Sequence, residues 1–204
     1  MSYYYYFVPQ LSHLIYGQAP PMSSEEFKAL AVTLLSDEDA ALISMLSLDP
    51  QPLDSQEDSS IPSYAQVITP SGSDFIDGWR EWERSLRLNL AKYRYAKLKR
   101  QGGTAPVDAP NFPAEAVATA TKAVQESPLE GEIIIDKARW SAIEALQGTD
   151  HFYRNTVFAY YLKLIILERY ALFETETGFS EYKLLYTSIL ESANTGASPR
   201  GEPT

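Results

Sequence analysis

The sequence contains no cysteine, which excludes disulfides, thiolate metal ligands and a thiol nucleophile, and makes a reducing cytosol the simplest setting. Histidine is nearly absent as well. Only His13 and His151 occur, and neither has neighbours that would make it a general acid or base. No glycine-rich phosphate loop, zinc-protease helix signature or nucleophile elbow is present. No uncharged run reaches the roughly 20 residues that a membrane-crossing helix needs. The opening MSYYYYFVPQ lacks the basic and aliphatic regions of a secretory signal. These absences lead us to expect a soluble, cytoplasmic protein with no catalytic residues, cofactor or metal.

The 204 residues suffice for one domain, or two small ones, with a real core, and the formal charge of −10 opposes binding of nucleic acid by the surface as a whole. The periodicity predicts an all-α fold, a bundle of about six or seven helices preceded by an aromatic segment. Residues 1–48 read as that segment followed by a helical hairpin, 49–73 as a linker, 74–193 as the main helical body, and 194–204 as a disordered tail. Tyr3 to Phe7 and Tyr16, broken by Pro9 and Pro20-Pro21, leave a strand or a bent helix open for residues 1–22.

The helix boundaries follow from local chemistry. Ser23 and Glu26 form a capping box, with Phe27, Leu30, Ala31, Leu34 and Leu35 at helical spacing behind it. Ser36 starts a shorter helix to about Leu46. Ser73 or Asp74 starts a long one to about Arg100, stopped by Gly102-Gly103, with Phe75, Trp79, Trp82, Leu86, Leu90 and Tyr93 as its inward stripe. Pro113 opens an alanine-rich helix to about Gln125. Ser127, Pro128 and Glu130 combine a capping box with a first-turn proline for a helix to about Leu146, ended by Gly148. A final pair is expected from Thr149 or Asp150 to about Glu176, closed by Gly178, and from Ser180 to about Ser192.

Three groups of residues are candidates for function. Asp136 falls inside the stripe Leu129, Ile133, Trp140 and Ile143, where an isolated charge would be costly, so a cation on the next helix, Arg169 or Lys163, is the expected partner. With Glu168 these form a structural ion-pair group, or else a ligand-binding or enzymatic site built from the same four charges. Residues 79–100 carry eight basic and two acidic side chains, and Arg80, Arg84, Arg87 and Arg94 share one sector of the helix. That ridge suits an acidic partner or, as a third reading, nucleic acid. The opposing reading is a solvated face paired with the chain's own acids. The tyrosine run, with Tyr4 and Tyr5 at its centre, suits a core edge or a binding interface.

Three stretches together resemble a known family: YYYYFVPQLSHL followed by a proline-rich turn and SSEEF, then SPLEGEIIIDKARW, then FYRNTVFAYYLKLIILERYALF with a closing glycine. They are similar to a small bacterial family of unassigned function encoded beside V-type ATPase genes, which is itself similar to the C (d) subunit capping the central stalk of V/A-type ATPases. The matching positions are Tyr4, Tyr5, Leu129, Glu130, Asp136, Trp140, Tyr161, Lys163, Leu164 and Arg169. The resemblance implies a non-catalytic helical component, or accessory or assembly factor, of such an ATPase. Its partners would be ATPase subunits, and it would be peripheral at the membrane through them. The chain is shorter than stalk subunits of that type and shows no helical repeat.

Overall fold

The computed structural model describes residues 3–48, 70–97 and 109–174, with side chains of the last segment described as far as residue 171. The expected linker up to residue 69, the Gly102-Gly103 stop, the Gly178 terminator, the helix at 180–192 and the tail at 194–204 lie outside the described residues. Among the described residues there are six α-helices and no strand: α1 (Ser24–Leu34), α2 (Asp37–Ile43), α3 (Asp74–Lys97), α4 (Ala114–Gln125), α5 (Pro128–Gln147) and α6 (Arg154–Glu174). The chain is all-α. No described helix is long and apolar enough to cross a membrane.

The starts follow the cap chemistry. At α1 the Glu26 N–H donates to Ser23 Oγ (3.1 Å) and the Ser23 N–H donates to Glu26 Oε2 (2.9 Å), a complete capping box. Ser36 accepts from the Asp39 N–H at the start of α2 (3.3 Å), which ends at Ile43, three residues before the expected Leu46. Ser127 accepts from the Glu130 N–H (3.3 Å), but the box is not closed. The Ser127 hydroxyl donates to Glu130 Oε2 instead (2.8 Å). Gly148 ends α5 at φ 74°, a left-handed conformation that side chains disfavour.

Packing explains the sequence pattern. The inward stripe of α3, Phe75, Trp79, Trp82, Leu86 and Leu90, is buried, with Tyr93 partly so. It faces α4 and α5, and the buried Ala116, Ala120 and Ala123 of α4 let backbones approach closely. α6 packs on α5 at one side and on α1 and α2 at another. Being covered from several directions, it carries apolar residues nearly all round, with Val157, Phe158, Leu162, Leu164 and Ile166 fully buried. Each such side chain stabilises the fold by about 2 kcal/mol.

Two expectations need correction. The N-terminal segment is neither a strand nor a bent helix. Tyr3 makes a single antiparallel bridge to Tyr153, and the Tyr4 N–H donates to the Phe152 carbonyl (2.8 Å). A 3-10 turn at Val8–Gln10 follows, where Pro9 cannot supply a ladder donor. Phe7 is then buried, its ring stacked on Phe27 at 5.8 Å. The start of α6 also differs: it begins at Arg154, not at Thr149 or Asp150. Asp150 Oδ1 accepts the Phe152 N–H (3.1 Å), which turns the chain, and the backbone of residues 152–153 is taken up by the N-terminal segment.

Candidate functional site

Three helices converge on a buried charge network. Asp136 and Arg139 of α5 and Glu83 of α3 are 1%, 4% and 8% exposed. Arg139 lies between the two acids. Its Nη1–H donates to Asp136 Oδ1 (3.0 Å), and its Nε–H and Nη2–H donate to the two oxygens of Glu83 (3.1 and 2.6 Å), a bidentate pairing. Glu83 Oε1 also accepts from Arg87 Nε–H (2.8 Å), whose Nη2–H reaches the Leu48 carbonyl. From α6, the Arg169 Nε stands 3.6 Å from Asp136 Oδ2, while its Nη2–H donates to Glu132. Arg94 completes the group, 3.7 Å from Glu132.

Burial sets the electrostatics. It pushes the Asp136 carboxyl above its ordinary value, against the pull of Arg139 and then Arg169. Burial also works against the Arg139 charge, but Glu83 and then Asp136 outweigh it, so the guanidinium is held above its usual value. Only mutual neutralisation makes such a group tolerable in a core.

The four charges that the sequence grouped are therefore not one cluster. Asp136 does meet Arg169, but Lys163 and Glu168 lie elsewhere. Lys163 donates to Glu144 (3.1 Å) and stands 4.8 Å over the Trp140 ring. Glu168 turns towards α1, where its two oxygens accept the Ser24 N–H and hydroxyl, each at 2.6 Å. A carboxylate there complements the positive end of the α1 dipole.

The arginine ridge is not an open solvated face either. Arg84 pairs with Glu81 (3.6 Å), Arg87 with Glu83, and Arg80 is half-buried. Arg94 is the well-exposed member of the ridge, its side chain 57% accessible. Among the tyrosines, Tyr4 is half-buried and its hydroxyl donates to Asp39 Oδ2 (2.5 Å), whereas Tyr5 is exposed, stacked on Tyr3 at a centroid distance of 5.6 Å and tilted against Phe152 at 5.2 Å.

Two cavities open on these groups. One, of about 260 Å³, is lined by Arg87, Arg94, Arg139, Arg169 and Glu132. The other, of about 690 Å³, lies between the N-terminal segment, α5 and α6, and both histidines line it with Trp140, Lys163, Tyr16 and Tyr160. The hydroxyls of Tyr16 and Tyr160 are buried without a hydrogen-bond partner, and burial pushes Tyr16 up to about 12. No group of three or more His, Asp or Glu suited to a metal ion occurs among the described residues. No family model matches the chain, and no similar curated protein or solved structure is found.

Sequence reasoning missed Arg139 and Glu83. A signal was there: Glu83 follows Trp79 by four residues and Arg139 follows Asp136 by three, which puts each charge on an inward face.

Proposed function

We propose that this chain is a non-catalytic helical adaptor acting through protein contacts, an accessory or assembly component of a V/A-type ATPase, held at the membrane only through that complex. The observation that carries the non-catalytic part is the network itself. Glu83, Arg139 and Asp136 spend their charges on one another inside the bundle. A contact role is supported by the aromatic edge of Tyr3, Tyr5, Tyr6 and Phe152, where Tyr6 is 90% exposed. The ATPase rests on the resemblance of the three sequence stretches.

The other two readings have less support. A ligand site using Asp136, Lys163, Glu168 and Arg169 together would need them in one place, and they point to three. A nucleic-acid site would need a row of available arginines, and Arg84 and Arg87 are engaged with Glu81 and Glu83. The test is affinity purification of the tagged chain from its own cells, probed for ATPase subunits. Those subunits should be recovered, and less of them with Tyr5→Ser and Tyr6→Ser. Purification without any of them would discard the ATPase assignment.

A further inference from the structure

In the wall of the larger cavity the ammonium and the carboxylate cancel. Lys163 donates to Glu144 (3.1 Å), and the same Glu144 oxygen accepts the Trp140 indole N–H (2.9 Å). Gln147 Nε2–H donates to the Thr156 hydroxyl (3.4 Å), which donates to the Asp150 carbonyl (3.2 Å). His13, His151 and Ser12 are exposed and so stand at the mouth. The rest of the surface is apolar and largely aromatic, with Leu11, Leu14 and Ile15 beside Tyr16 and Trp140, whose rings meet edge to face at 5.7 Å.

One polar group in this wall is left over. Tyr160 is 8% exposed, and its hydroxyl has no hydrogen-bond partner. A buried hydroxyl without a partner is costly, and its retention calls for an acceptor from outside the chain. The hydroxyl is closed to solvent, so an acceptor reaches it only if a wall yields. The strap of residues 8–16 is the wall least tied down. It runs between two anchors, the Tyr4 N–H on the Phe152 carbonyl (2.8 Å) and Ser24 on Glu168 (2.6 Å). Among the described residues, no hydrogen bond joins residues 8–18 to any of the six helices, and the strap is held by side chains such as the buried Leu14.

We infer that this cavity binds an uncharged planar aromatic compound of two or three fused rings, whose ring nitrogen or carbonyl accepts a hydrogen bond from Tyr160 as the strap shifts to admit it. A charged ligand would find only Lys163 or Glu144 as a counterion, and each is already taken by the other. Flat rings match a wall built from the rings of Tyr16, Trp140 and Tyr160. The volume of about 690 Å³ falls in the range of pockets that enclose small organic ligands. The inference is independent of the ATPase assignment and stands or falls separately.

The experiment is titration of the full chain with quinoline and acridine, in weakly alkaline buffer where both are uncharged, followed by calorimetry and by NMR of the tryptophan indole N–H resonances. Indole serves as a fused ring without an acceptor, 2-naphthoate as a charged one and decanoate as a charged chain. Saturable binding of quinoline and acridine is expected, one per protein, with the Trp140 resonance moving more than those of Trp79 and Trp82. Tyr160→Phe keeps the ring and removes an unsatisfied hydroxyl, so folding is preserved. It should weaken quinoline about fivefold and leave indole unchanged. Ser12→Trp, at an exposed position on the strap, should obstruct the mouth and weaken both, whereas Lys137→Trp, outside the lining, should weaken neither. Absence of saturable binding by quinoline and acridine would overturn the inference, as would equal or tighter binding of 2-naphthoate or decanoate. So would an unmoved Trp140 resonance, or quinoline affinity that ignores both Tyr160→Phe and Ser12→Trp.

Discussion

Arg139 is the residue on which the interior electrostatics turn. It is the only cation within hydrogen-bond distance of both Glu83 and Asp136 among the described residues. Replacing it with Met keeps much of the volume but leaves two carboxylates facing each other in a core, with Arg87 and Arg169 reaching them only from the side. The expected loss is about 3–5 kcal/mol in urea unfolding. Glu81→Gln, which removes the charge from the partly exposed pair with Arg84, should cost under about 1 kcal/mol. Equal losses in the two variants would show that the network does not act as a buried unit. The helical wheel made Asp136 and its Arg169 partner legible, because a carboxylate in an apolar stripe requires a cation nearby. It assigned Lys163 and Glu168 to the same group for a reason that fails on α6. A helix apolar on nearly every side has no unique inward direction, so the wheel could not say that Lys163 faces Glu144 and Glu168 faces Ser24.

Two glycines separate helix propensity from helix packing. On α5, a Cβ added at Gly131 would lie 2.8 Å from the Ala123 carbonyl oxygen of α4, and a backbone atom can yield only if the helices part. On α3, a Cβ at Gly78 would lie 2.8 Å from Leu146 Cδ2, the end of a side chain that can rotate away. Alanine gains about 1 kcal/mol over glycine in a helix. Gly78→Ala should therefore be neutral or stabilising by up to about 1 kcal/mol. Gly131→Ala should destabilise by about 1–3 kcal/mol despite the same propensity gain. Urea midpoints of the two variants check this, and a stabilised Gly131→Ala would refute the close α4–α5 approach. At this scale the sequence was most readable where the signal is local. Ser23, Ser36, Ser127 and Gly148 mark helix ends by chemistry within four residues. The start of α6 was misplaced because its turn is fixed from far along the chain, by hydrogen bonding of the N-terminal segment to residue 152.

At the scale of the whole molecule, Asp39 is a polar joint between the N-terminal segment and the helices that follow. It is fully buried. One oxygen accepts from the Tyr4 hydroxyl (2.5 Å) and the other from Arg154 Nη1–H at the start of α6 (3.2 Å), while Arg154 also reaches the Gly72 carbonyl ahead of α3. The N-terminal segment, α2 and α6 therefore meet at one carboxylate. By contrast, α3, α4 and α5 pack on one another. Asp39→Ala leaves the Arg154 charge and the Tyr4 hydroxyl without that partner, a loss of about 3 kcal/mol. Native-state hydrogen exchange should register this as lower protection for amides of α1 and α2, with those of α3 to α5 holding near their parent values. Tyr4→Phe should produce the same pattern at smaller amplitude, because it removes the hydroxyl and spares the ion pair. If protection falls evenly across all helices, the two parts unfold as one cooperative unit and the joint at Asp39 is no hinge between them.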